Sequence, residues 1–176
     1  MNMEKITLKT PLKLALAAVF AALVCVATLA LVISIPATSG YFNLGETVIY
    51  IAALLFGPLV GAVAGGGAAI ADMIVAPQFA LGTLIIKGFE GGIVGFLNKK
   101  LQQRTRNRSL GTTVAVIIGG LEMVAGYFIY EQLVLGYPFA AALVEVPFNI
   151  VQMLVGLLVA IPITHIILRV FPQLKS

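Results

Sequence analysis

The chain has 176 residues, 60% of them apolar and 10% charged, with a formal net charge of +4. A soluble domain carries about 25% charged residues, so this composition excludes a water-exposed globule and points to a chain solvated by lipid. The single cysteine, Cys25, excludes an internal disulfide and a cysteine-based metal site.

The first apolar run covers 12–35, with Lys13 its only charge. The core of a secretory leader is about 7–15 residues and a spanning helix needs about 20, so this run predicts a membrane helix that stays. The second run covers 44–76. As one helix it would be about 50 Å long, well beyond the roughly 30 Å hydrocarbon core. Phe56-Gly57-Pro58 lies in its middle, and Gly followed by Pro ends one helix and begins another. This predicts helices over 44–56 and 58–75. Three more runs predict helices over 81–98, 111–135 and 141–170. The expected fold is an all-α integral membrane protein of six transmembrane helices, built as a single domain over 1–176.

Charge sets the expected sidedness, because Lys and Arg concentrate on the cytoplasmic side. Lys5, Lys9 and Lys13 precede or enter the first helix. Lys99, Lys100, Arg104, Arg106 and Arg108 fill one predicted loop. Arg169 and Lys175 close the chain. With six helices all of these fall on one side, and both termini are cytoplasmic; with five they do not. The basic loop is then a topology signal and calls for no nucleic-acid partner. GYFNLGETVIY, residues 40–50, is expected to face outside.

Of seven acids, only Glu4 lies in a cytoplasmic tail. The other six, together with Lys87, lie in or beside predicted helices. Ionisable groups inside a membrane cost about 3 kcal/mol each at the bilayer centre and mark function by default. Asp72, Lys87, Glu90, Glu131 and Glu145 fall in the outer half of their helices. Asn149 and Gln152 follow Glu145 at i+4 and i+7, on one face. Tyr41, Phe42, Asn43 and Glu46, with Tyr130 and Tyr137, cap the same half. Apolar and aromatic walls with a few placed polar groups make a ligand site. The candidate ligand-binding set is Tyr41, Phe42, Asn43, Glu46, Asp72, Lys87, Glu90, Tyr130, Glu145 and Asn149. Simpler readings exist for some members. Tyr130 and Tyr137 also suit an interfacial aromatic belt, and Lys87 and Glu90, at i and i+3, suit a structural ion pair. Glu122 is deeper and suits a structural role. His165, near the inner end of the last helix, reads as a packing or interfacial residue.

No residue set suggests covalent chemistry. No His accompanies a Ser or the Cys as a base, no His-carboxylate cluster suits a metal, and no nucleotide loop is present. GTLIIKG lacks the terminal Ser/Thr of such a loop and lies within a membrane helix. The chain is therefore expected to be no enzyme and to need no cofactor. Rows of small residues recur: Ala17 with Ala21 and Ala18 with Ala22 in the first helix, Gly57, Gly61 and Gly65 in the third, and Gly88/Gly92 and Gly91/Gly95 in the fourth. In lipid, close backbone approach at small residues supplies packing.

Taken together, the chain resembles the substrate-binding S component of an energy-coupling factor (ECF) transporter, the vitamin-importing branch of the ABC transporters. The paired A-x-x-x-A of the first helix, F-G-P-x-x-G at Phe56-Gly57-Pro58 and Gly61, and TLIIKGFEGGIVGFL carry the resemblance, which extends over the whole chain. It implies a prokaryotic plasma-membrane protein that works with a transmembrane coupling subunit and two ATP-binding subunits. It implies that Ala17, Ala18, Ala21 and Ala22 meet the coupling subunit. It also implies that the loop between helices 1 and 2 closes over a vitamin, a role falling on Tyr41, Phe42, Asn43 and Glu46. The excess of acids suits a neutral or cationic ligand. A thiamine-precursor pyrimidine or cobalamin fits best, and riboflavin or pantothenate follows. A stand-alone proton-coupled secondary transporter using Asp72, Lys87 and Glu90 is the alternative.

Overall fold

The computed structural model describes residues 10–104 and 107–174. Lys5, Lys9, Glu4, Arg106 and Lys175 lie outside them. Six helices follow one another: α1 (Thr10–Ala30), α2 (Gly45–Phe56), α3 (Pro58–Val75), α4 (Ala80–Arg104), α5 (Arg108–Leu133) and α6 (Phe139–Val170), with a short 3-10 turn at Pro172–Leu174. Five are long and apolar enough to cross a membrane. The other, α2, has 12 residues and spans only about 18 Å. It sits at the centre of the bundle, with Ile49, Tyr50, Ala52 and Ala53 wholly buried.

The first helix stops at Ala30 and not at Ile35 as expected. Residues Ile33–Ile35 form β1, which pairs antiparallel with β2 (Gly40–Phe42) in the register Ile33↔Phe42, Ser34↔Tyr41, Ile35↔Gly40. Val32, Ile33 and Ile35 are β-branched and favour extended backbone, and Pro36 bars Ile35 from helical geometry. Apolarity alone does not separate these residues from the helix before them. The hairpin turn places Ser39 at φ 60°, and Ser39 N–H donates to the Ile35 carbonyl at 3.1 Å.

The break between α2 and α3 falls where expected. Gly57 has φ 87°, a left-handed conformation that costs glycine little, and Pro58 opens α3 at N1. The basic segment departs from expectation. Helix α4 continues to Arg104, and α5 begins at Arg108, capped by Asn107, whose side chain accepts from Leu110 N–H at 3.2 Å. Lys99, Lys100 and Arg104 thus ride on helix and not in a loop. Lys, Leu, Gln and Arg are strong helix formers, and their charge marks the end of the span, not the end of the helix.

The bundle is held by glycine crossings. Gly61 of α3 packs on the backbone of Gly91, Gly65 on that of Lys87, and Gly67 on the Ala21 carbonyl of α1, while Gly95 of α4 packs on Gly57 and Pro58. The expected Gly88/Gly92 row does not take part. It lines a shallow groove on the outer face with Ala62, Leu84 and Phe89. A Cβ at Gly61 would lie 2.9 Å from the Gly91 carbonyl carbon, whereas at Gly92 it would meet only a side-chain methyl at 3.7 Å. Gly61→Val is therefore expected to destabilise by about 1–3 kcal/mol or more through overpacking, and Gly92→Val to behave as wild type. Thermal unfolding of both variants in detergent checks this, and equal melting would contradict the crossing.

A candidate ligand site beneath the hairpin

The polar face of α6 gives the site its floor. Glu145, Asn149 and Gln152, at i, i+4 and i+7, are all buried. They face Asp72 of α3 and Tyr127 of α5, with Phe79 of the α3–α4 connection beside them and Gly40, Tyr41 and Asn43 of the hairpin segment above. Phe79 is the aromatic hub, its ring centroid 6.4 Å from Tyr127 and 6.4 Å from Tyr137.

The hairpin is latched to this floor by four hydrogen bonds. Thr38 Oγ1 donates to Glu145 and Tyr41 Oη to Asp72. Asn43 N–H donates to Gln152 Oε1 at 2.8 Å, and Tyr137 Oη donates to the Thr38 carbonyl at 2.8 Å. Asp72 also accepts from Thr83, whose hydroxyl lies 2.9 Å from Tyr127 Oη. Burial and the adjacent Asp72 carboxylate push the Tyr41 phenol well above its usual pKa, so Tyr41 stays protonated and is the donor of its pair. The cavity is about 30 Å³, roughly a tenth of the smallest typical ligand pocket, about 300 Å³. With the hairpin in this position the cavity is too small for a vitamin-sized molecule.

Five expected site residues lie outside this lining. Glu46, Lys87 and Glu90 are buried and form one ionic cluster. Lys87 pairs with Glu46 and, at 3.4 Å, with Glu90, and Tyr50 Oη donates to Glu90 at 2.7 Å. None of the three lines the cavity. The cluster meets the site at Tyr127, over whose ring the Lys87 ammonium sits at 5.3 Å. Phe42 is half-buried and is not a lining residue. Tyr130 is also outside the lining: it packs on Gly82, and its hydroxyl donates to the Gln78 carbonyl at 2.9 Å. His165 is exposed at the opposite, basic end.

The sequence matches the family model "ECF-type riboflavin transporter, S component" over residues 9–169. The chain belongs to the ECF-type riboflavin transporter S component family. Its fold is that of a solved structure described as "Structure and mechanism of the S component of a bacterial ECF transporter", with TM-score 0.69 and 16% identity, covering 96% of this chain and 100% of that one. It is also 43% identical over 137 residues to a Pyrococcus woesei protein described as "Uncharacterized protein in gap 3'region", covering 77% of this chain and 88% of that protein. As an S component the chain is a vitamin-binding, multi-pass membrane subunit of an ECF transporter, and its family is one of transporters, not of enzymes.

In this S component the four alanines of α1 divide. Ala17 is buried, 1% exposed, and the Ala21 backbone lies under Gly67 of α3. Ala17 thus packs within the bundle, while the Ala21 side chain is half-buried. Ala18 and Ala22 are exposed. The i, i+4 spacing showed two rows but not which one turned inward. Thr38, Phe79, Thr83 and Tyr127 were not singled out from the sequence. Tyr127 carried a usable signal, one turn before Tyr130, but a lone Thr or Phe in an apolar chain carries none.

Proposed function

We propose that this S component captures riboflavin at the hairpin end, outside a prokaryotic plasma membrane, and passes it to an ATP-driven coupling module. The observation that carries the reading is the aromatic, amide and carboxylate cavity beneath a latched hairpin, in a chain of the riboflavin-transporter family. Phe79 and Tyr127 offer faces to a flat heteroaromatic ring. Asp72, Glu145, Asn149 and Gln152 offer acceptors and donors to its imide edge and to a polyol chain. The two carboxylates disfavour an anionic ligand and suit a neutral one. The family description supports riboflavin over a thiamine precursor or cobalamin. Glu46, Lys87, Glu90 and Phe42 support the site without lining it.

The basic residues at the opposite end support cytoplasmic termini and six passes, with α2 short and enclosed. The reading includes a transmembrane coupling subunit meeting the exposed Ala18 and Ala22, and two ATP-binding subunits supplying the energy. Trp at Ala22 is expected to abolish co-purification with a co-expressed coupling module while ligand binding persists, because a large side chain blocks close helix approach. An intact complex would show that the contact lies elsewhere. The ligand itself is tested by native mass spectrometry of the purified chain. Release of riboflavin is expected; release of a different vitamin would overturn the ligand and leave the family reading intact.

A further inference from the structure

A second cavity, about 370 Å³, opens at the basic end between the ends of α2, α4 and α6, the start of α5 and the C-terminal turn. Its size falls within the range of about 300–1,000 Å³ typical of small-molecule sites. Its floor is polar and buried: Asn98, Thr112 and Thr164. Thr112 Oγ1 donates to Asn98 Oδ1 at 2.9 Å, and Asn98 Nδ2 donates to the Leu54 carbonyl at 3.4 Å. Thr164 differs. It is 3% exposed, and its hydroxyl has no partner among the described residues. Such a group costs about 1–3 kcal/mol.

The rim is cationic. Arg108, Arg169 and His165 line it. Among the described residues the salt bridges all involve Lys87, so neither guanidinium is matched by a described carboxylate. Arg169 lies in the last turn of α6 and complements that helix's dipole, but this role needs neither a cavity nor the buried, unpartnered hydroxyl of a lining residue. Arg108 begins α5, where helix N–H groups also favour negative charge. Two guanidiniums, a helix start and a buried hydroxyl are the donors that recognise phosphate.

We propose that this cavity binds a phosphate-bearing anion, the headgroup of an anionic lipid or a soluble phosphate ester, with Arg108 and Arg169 supplying charge and Thr164 a directional hydroxyl. The test uses the full chain in phosphatidylcholine nanodiscs, given phosphatidylglycerol in the bilayer or glycerol 3-phosphate in solution. Binding is read by native mass spectrometry and folding by circular dichroism. One saturable anion per chain is expected. Arg108→Gln with Arg169→Gln should weaken it at least about tenfold, and Thr164→Val should weaken it several-fold with the charge unchanged. Lys99→Gln with Lys100→Gln should leave it as in wild type. Retention of the lipid alone assigns the lipid source, and retention of the ester alone the soluble one. Undiminished binding in the double arginine variant would overturn the site, as would an equal loss in the double lysine variant. If the double arginine variant fails to fold, Thr164→Val decides, and wild-type affinity there overturns the proposal.

Discussion

Lys87→Met is expected to destabilise the protein by about 3–5 kcal/mol, the cost of stripping a buried ion pair of one partner. Lys87 is 2% exposed and lies between Glu46 and Glu90, both fully buried. Removing the ammonium leaves two carboxylates with only Tyr50 Oη as donor, 2.7 Å from Glu90. Adding Glu46→Gln and Glu90→Gln should recover most of the loss, because replacing a buried charge set by neutral groups of the same shape is often nearly neutral. Glu46→Gln alone should cost less than Lys87→Met, since Glu90 remains as counter-ion. Thermal unfolding of the four proteins checks the order. A Lys87→Met variant that melts as wild type yet loses ligand affinity would return Lys87 to the ligand.

Tyr127→Leu and Asn149→Ala are each expected to weaken riboflavin binding at least about tenfold. Tyr127 is 8% exposed and forms the aromatic wall of the hairpin cavity. Burial of one aromatic side chain is worth about 1.5–3 kcal/mol, or roughly 10- to 150-fold in affinity, and Leu keeps part of the area but not the ring face. Asn149 lines the same cavity from α6 and supplies both a donor and an acceptor. Phe42→Ala, outside the lining, should change affinity less than either. Titration calorimetry separates them, and a larger loss at Phe42 than at Tyr127 would move the site to the outer surface of the hairpin.

The helices were legible because lipid demands long apolar runs, and Phe56-Gly57-Pro58 punctuates one run unmistakably. The hairpin was not, because Val32–Ile35 are as apolar as the helix before them and differ only in β-branching and in the proline that follows. The i, i+4, i+7 face of Glu145, Asn149 and Gln152 was read correctly, since one helix fixes it. Glu46, Lys87 and Glu90 were grouped with the ligand because burial of charge inside a membrane signals function. Only the meeting of α2 with α4 shows that they pair with one another. Spacing within one helix is visible in a sequence, but partnership between helices is not.

In the proposed function the cavity under the hairpin takes a flavin ring. Its most direct test is the quenching of riboflavin fluorescence on titration with the detergent-solubilised chain, since stacking on aromatic side chains quenches flavin emission. Saturable one-to-one quenching is expected, weakened at least about tenfold in Tyr127→Leu and in Asn149→Ala. No saturable quenching by the folded wild-type chain, or wild-type affinity in both variants, would contradict it.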